Sequence, residues 1–363
     1  MIKASHLWPG VPLALGSAVL FGTSAPLSKL LMGSIDPWLL AGILYLGAGA
    51  GLAIMQWGRS FVGIENLEAP LHRADWPWLA AVIVFGGMIG PLFLMLGLSQ
   101  TTASSGSLLL NLEGLATMAI AWVVFRENVD RRLILGAGAI LAGAVLLSWS
   151  GTGLRFDTGS LFITAACLSW GIDNNLTRKL SSADPVQIAM LKGLVAGTVN
   201  LVLALASGAV LPSASIIASG ALTGFFGVGV SLVMFMLGLR HLGTARTGAY
   251  FSLAPFIGAL LAIIFLHEPL TLQLLAAGVL MTLGLYLHLA ERHDHEHVHE
   301  TLEHDHLHVH DAHHQHDHDG PVSEPHSHRH RHQPLRHRHP HYPDLHHRHG
   351  HGLAGDHVPV SRA

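Results

Sequence analysis

Cysteine is almost absent from this 363-residue chain, and Cys167 stands alone. A disulfide within the chain is therefore impossible, and no CxxC metal site exists. Charge is scarce too. Asp, Glu, Lys and Arg together make up 12% of residues against 50% hydrophobic, and mean hydropathy is +0.44. The formal net charge of −3 divides into about +2 for residues 1–290 and −5 for the rest, and neither value suggests nucleic-acid binding. Neither a nucleophile–base pair nor a phosphate-cradling loop is present, which argues against an enzyme.

What is present falls into two parts. Stretches of 18 or more mostly apolar residues recur between positions 10 and 290, each long enough to cross a bilayer as a helix. The apolar run after Lys3 continues past Pro26 to Met32. That is too long for the core of a signal peptide, so it reads as a first span. Ten spans are predicted, at 10–32, 37–57, 76–98, 102–125, 131–150, 159–180, 185–207, 214–239, 244–266 and 270–290. The chain's 40 glycines suit helices whose backbones must approach closely in lipid. With the N-terminus placed in the cytoplasm, the inner loops hold Lys3, Arg59, Arg73, Arg126, Arg131, Arg132, Arg178, Lys179, Arg240, Arg246 and Arg292, and the outer loops hold only Arg155. That bias predicts a multi-pass protein of a bacterial inner membrane with both termini cytoplasmic.

The spans repeat. Met-Leu-Gly-Leu at 95–98 returns at 236–239, and Glu127 matches Glu268 at the same offset of 141. Residues 21–29 match 170–178 at an offset of 149, and Asp36-Pro37 matches Asp184-Pro185 at 148. Collinear matches of this kind indicate an internal repeat of five spans, 10–150 and 159–290. Five is odd, so the copies enter the membrane from opposite sides, and a substrate site is expected near the midplane between them.

With Trp-Gly-Ile-Asp-Asn-Asn-Leu-Thr-Arg-Lys at 170–179, Thr-Gly-Ala-Tyr-Phe-Ser-Leu-Ala-Pro at 247–255 and a closing Glu268-Pro269, residues 10–290 resemble an EamA-domain protein of the drug/metabolite transporter superfamily. The resemblance implies an all-α membrane fold of ten helices in two inverted repeats, working by alternating access. It leaves the substrate open among amino acids, sugars, nucleotide sugars and drugs. Some members carry His-rich tails, which turns the reading toward metal handling. One departure is Gly114, where the offset from Pro255 would place a proline, so the break in span four is expected to be softer than that in span nine.

Ionisable groups inside spans are the best pointers to a site, because a charge at the bilayer centre is costly. Glu113, Asp173, Lys29 and Lys192 qualify, with Asn111 and Asn174 as neutral partners. As a site, the acids bind a cationic group or a proton and the lysines an anionic one. As structure, they form ion pairs, and the lysines snorkel to the interface. Gly106, Leu109, Glu113 and Thr117 follow helical spacing and are expected on one face. Pro26, Pro91 and Pro255 each remove a backbone donor inside a span, marking helix breaks that line a cavity or merely kink. Glu127 and Glu268 read as span-end stabilisers.

Residues 291–363 are a different material. They hold 24 of the 29 histidines, with 7 Lys/Arg against 12 Asp/Glu. Imidazoles alternate with other residues at His293, His295, His297, His299, His304, His306, His308, His310, His314, His316 and His318, and again further on. Apolar residues are too few to fold the segment alone, so disorder is expected. Spacing by two lets neighbouring imidazoles on an extended chain share an ion, and the acidic first half is expected to favour Zn²⁺, Ni²⁺, Co²⁺ or Cu²⁺.

No cofactor is required. The expected partners are the lipid bilayer and a small-molecule or ion substrate, and the reading admits a homodimer. The leading reading is an exporter with a metal-binding tail, extending to Zn, Ni or Co efflux. The alternatives are an exporter of a small metabolite, amino acid or drug whose tail only regulates, and a membrane metal sensor or store.

Overall fold

A computed structural model describes residues 10–63, 70–125, 131–149, 157–177, 179–180, 183–289 and, in the tail, the backbone of 294–298, 303–308, 326–331 and 336–340. Thirteen α-helices follow in chain order: α1 Gly10–Leu31, α2 Pro37–Phe61, α3 Trp76–Val82, α4 Gly90–Gln100, α5 Ala103–Leu109, α6 Asn111–Phe125, α7 Arg131–Ser148, α8 Thr158–Thr177, α9 Pro185–Ala206, α10 Ala214–Gly224, α11 Ser231–Phe251, α12 Ala254–Phe265 and α13 Leu272–Leu289. A π-helical segment, Ile83–Ile89, joins α3 to α4, and another, Phe225–Val230, joins α10 to α11.

Eight helical stretches are long and apolar enough to cross a membrane. Two of the ten expected spans fall outside that set for physical reasons. α8 has 20 residues, but its polar run Asp173-Asn174-Asn175 lowers its hydropathy. The apolar stretch Leu272–Leu287 is shorter than the others. Large side chains such as Trp57, Phe61, Val123 and Leu272 point outward unburied, a surface suited to lipid.

Two helix starts show how local sequence fixes geometry. Asp36 accepts from the backbone N–H groups of Trp38 and Leu39, and Pro37 opens α2. Asp184 accepts from Val186, and Pro185 opens α9. In each, a carboxylate caps the helix and a proline with preset φ begins it.

α2 and α9 then pack backbone to backbone through glycines, and the contacts are reciprocal. A methyl added at Gly49 would strike the backbone of Leu194, and one at Gly197 would strike the backbone of Leu46. An offset of 148 converts each contact into the other. Offsets of 142 and 148 likewise relate Gly87 on Ala196 to Gly229 on Ala48, and offsets of 149 and 141 relate Gly22 on Ile257 to Gly171 on Ala116. Small residues at these points permit the close approach that drives helix association in lipid.

Breaks fall in matching places. The two π segments sit in spans three and eight. Span four is interrupted at Leu110 and span nine at Ser252–Leu253. So span four breaks without a proline, and its break is the shorter. The interruption falls between Gly106 and Glu113, yet the residues expected on one face all meet α8, with Gly106 against Ile163 and Asn174 donating to Glu113 and Thr117. Gly106 is buried against Leu98 and Ile163, while Thr117 donates to the Glu113 carbonyl. Pro26 lies inside α1. Pro91 and Pro255 each open a helix just after a π segment or a break. Helical bonding continues through α11 where a loop between spans eight and nine is expected. Even so, a methyl on Gly238 would lie 3.1 Å from Thr247. Nine residues of straight helix would span about 13 Å, so the chain reverses between them.

In the tail, where composition predicts disorder, the structure describes four short strands: β1 Asp294–Val298, β2 Glu303–His308, β3 His326–Arg331 and β4 Arg336–Pro340. β1 pairs antiparallel with β4, and β2 with β3. The pairing joins the acidic half of the tail to its basic half.

Candidate functional site

The site is built around the π segment of span three. A π turn leaves carbonyls without their usual helical donors, and here side chains from other helices supply them. The Gly86 carbonyl accepts from Tyr45 Oη at 2.9 Å and from Trp170 Nε1 at 3.0 Å. Ser169 donates to the Phe85 carbonyl at 2.7 Å. Asn200 Nδ2 reaches the carbonyls of Gly87 and Met88, both at 3.3 Å, while its Oδ1 accepts from Trp38 Nε1 at 3.1 Å. The segment is thereby tied to α2, α8 and α9.

Against it lies a buried ion pair. Lys192 Nζ donates to Asp173 Oδ2 at 2.5 Å, with both residues under 10% exposed. Thr177 donates to Asp173 Oδ1 at 3.3 Å. Gly86 is glycine for a visible reason, since a methyl there would collide with the Asp173 carboxylate and the Lys192 ammonium.

A second cluster adjoins it. Asp173 and Asn174 are neighbours on α8, so their side chains leave the helix about 100° apart. Asn174 turns to α6, where its Nδ2 donates to Glu113 Oε1 at 2.9 Å and to Thr117 Oγ1 at 3.2 Å. Glu113 sits in the first turn of α6, just past the break in span four, and is only partly buried. An anion there complements the positive end of that half-helix. Asn175 donates to the carbonyls of Thr117 and Gly171. Its buried Oδ1 has no partner among the described residues. The arrangement offers a buried, compensated pair beside an acid without a cationic partner among the described residues.

Of the expected site residues, Glu113, Asp173, Asn174 and Lys192 come together. Asn111 does not join them. It bridges the break in span four by donating to the Leu108 carbonyl at 2.8 Å and touches Met281 Sδ at 3.8 Å. Lys29 lies apart, donating to the carbonyls of Leu98 at 2.5 Å and Thr101 at 2.7 Å, where α4 ends. Glu268 accepts from the N–H groups of Ala103 and Ser104, where α5 begins. One cation and one anion, each at the helix end whose dipole it complements, therefore clamp the 98–104 connection. Glu127 lies outside the described residues. Tyr45, Ser169, Trp170 and Asn200 are site residues the sequence reading missed. Their signal was the glycine pair Gly86-Gly87 in span three, answered by Gly227 and Gly229 in span eight. Among the described residues no group of three or more His, Cys, Asp or Glu is placed to hold a metal. The side chains of the tail histidines lie outside the described residues.

Comparison with known proteins agrees with this architecture. The EamA-like transporter family matches twice, at residues 8–149 and 157–290. A protein of Methanothermobacter thermautotrophicus described as an uncharacterized transporter is 30% identical over 302 residues, covering 78% of this chain and 86% of that one. A Salmonella typhimurium protein described as a probable amino-acid metabolite efflux pump is 26% identical over 280 residues, 65% of this chain and 92% of its own. A solved crystal structure superposes with a TM-score of 0.57 at 20% identity, covering 77% of this chain and 94% of its own, which shows a shared fold. The chain therefore belongs to the EamA-like transporter family, a family of multi-pass membrane proteins.

Proposed function

We propose that the chain is a ten-span secondary transporter that exports a small organic molecule bearing an amino group. Two inverted five-span repeats, 10–150 and 159–290, would work by alternating access in a bacterial inner membrane, with both termini in the cytoplasm. The observation that carries this reading is the Glu113–Asn174 pair set beside the Asp173–Lys192 ion pair. The carboxylate of Glu113 suits an ammonium or a coupling proton. Lys192, once released from Asp173, suits a carboxylate. A site made of oxygens and one amine is unsuited to a soft metal ion, which prefers nitrogen and sulfur ligands. The likeness to the Salmonella protein agrees with an amino-acid-like substrate. The reciprocal glycine contacts support the inverted repeat, since an offset that exchanges both partners is what a pseudo-twofold axis produces. Lys29 and Glu268, holding the 98–104 connection from spans one and nine, would keep the outer face closed in this state.

A second reading, metal efflux, is favoured by one observation, the 24 histidines of residues 291–363. We assign those histidines to binding Zn²⁺, Ni²⁺, Co²⁺ or Cu²⁺ on the cytoplasmic side, as a regulator or reservoir of the transporter.

The test is uptake into inside-out membrane vesicles. With an imposed proton gradient, vesicles holding the protein should accumulate one or more of a panel of labelled amino acids above control vesicles. Glu113→Gln should abolish accumulation while leaving exchange of the same compound across the membrane. Accumulation of Zn²⁺ or Ni²⁺ instead, lost in Glu113→Gln, would replace the organic substrate by the metal. Gradient-driven accumulation unaltered by Glu113→Gln would remove Glu113 from the mechanism.

A further inference from the structure

The tail strands face histidine with histidine. Asp294 faces Pro340 and His308 faces His326, and in both ladders the two residue numbers sum to 634. β1–β4 and β2–β3 are separate two-stranded sheets that share one numerical register. Five positions set imidazole-bearing residues opposite each other: His295 and His339, His297 and His337, His304 and His330, His306 and His328, His308 and His326. Between them, acid faces arginine, with Glu296 opposite Arg338, Glu303 opposite Arg331 and Asp305 opposite Arg329.

Strand residues alternate between faces. Within each ladder the histidine pairs therefore share one face and the acid–arginine pairs share the other. Directly opposed residues have Cβ atoms about 5 Å apart, and alternate residues along one strand lie about 7 Å apart. Two successive pairs, such as His304 with His330 and His306 with His328, thus bring four imidazole-bearing positions within the span of one ion. Four nitrogen ligands at about 2 Å are what a tetrahedral divalent site takes.

We propose that the tail holds divalent transition metal between the two strands of a hairpin, each site drawing histidines from both. This rests on the reading that the tail binds metal, and it alters where the ligands come from. The sequence pattern suggests chelation along one extended strand, with the acidic half binding better because its carboxylates attract cations. In the register seen here three of those acidic residues, Glu296, Glu303 and Asp305, stand opposite arginines, and their role is to select the pairing that aligns the histidines. A two-stranded ribbon alone is marginal in water. Metal binding and hairpin closure are then one event, as in small domains that fold on their metal.

The two arrangements predict opposite outcomes for one substitution. Arg329→Glu with Arg331→Glu keeps every histidine and makes the tail more acidic. Chelation along one strand would then tighten, whereas facing pairs would be disrupted by like charges. The full-length protein in detergent would be dialysed against Zn²⁺ with a competing chelator, and bound metal counted by elemental analysis. Four proteins would be compared: the parent chain, a deletion of 291–363, the double reversal, and the reversal joined to Glu303→Arg and Asp305→Arg. We expect the parent to bind more Zn²⁺ than the deletion, the reversal to weaken binding at least tenfold, and the fourfold swap to restore it. Equal binding by parent and deletion would overturn the metal reading and this inference with it. Metal bound as tightly or more tightly by the reversal would overturn the facing pairs alone.

Discussion

The two halves of the membrane region share their contacts but not their charges. Glycine for glycine, Gly49 and Gly197, Gly87 and Gly229, and Gly22 and Gly171 make exchanged contacts. Yet the repeat positions of Asp173, Lys192 and Glu113 are Ser24, Leu44 and Ala254. The glycine contacts are exchanged between the halves, while the acids and the lysine of the candidate site have no counterparts. Under the alternating access proposed above, packing would have to match in both halves for the bundle to rock between equivalent arrangements. Substrate chemistry needs to be written only once.

The largest effect expected of this comparison comes from splitting the ion pair. Asp173→Asn leaves the Lys192 ammonium buried and unpaired, which costs about 3–5 kcal/mol. Thermal unfolding in detergent should show it. The double variant Asp173→Asn with Lys192→Met should regain most of that stability and still fail to transport. A double variant that transports normally would make the pair structural alone. Second, Gly49→Leu and Gly197→Leu should each lower stability by about 1–3 kcal/mol, through overpacking of the same α2–α9 contact. If one is tolerated and the other prevents folding, the exchange relation fails. Third, moving the carboxylate across the axis, with Glu113→Gln joined to Ala254→Glu, should leave gradient-driven accumulation abolished, because Asn174 has no counterpart at Ala25. Recovery of accumulation would mean the asymmetry carries no function. The smallest effect concerns the clamp. Glu268→Gln removes one charge from the start of α5, worth about 0.3–2 kcal/mol. In a Cys167→Ala background, Ser28→Cys near that end of α1 should then react several-fold faster with an impermeant thiol reagent. An unchanged rate would mean the clamp does not control opening.

Much of this architecture was legible in the sequence. The spans predicted to start at 37 and 185 match α2 and α9, whose starts Asp36-Pro37 and Asp184-Pro185 fix within one turn. Glu113, Asp173, Asn174 and Lys192 were singled out by the cost of polarity in lipid, and the structure brings them together. Lys29 met the same criterion and lies elsewhere, on the carbonyls that end α4. Cost marks a polar group as needing a partner but does not say which. The π segments escaped notice because their stability comes from donors on α2, α8 and α9, far away in sequence. The break in span four was expected to be softer than that in span nine because Gly114 stands where a proline would, and it is the shorter of the two, with Asn111 bridging it.

By itself the sequence determined which stretches are apolar enough for lipid, where α2 and α9 begin, that segments of the chain recur at a fixed offset, and that 24 of the 29 histidines fall in residues 291–363. These depend on hydropathy, capping and repetition, which are local or countable. Only the tertiary structure decided that Asp173 takes Lys192, that Glu113 takes Asn174, that Lys29 and Glu268 hold one connection, and which tail residues face each other. Each of those choices is a distance between residues remote in the chain, set by how glycine-lined helices and paired strands come together.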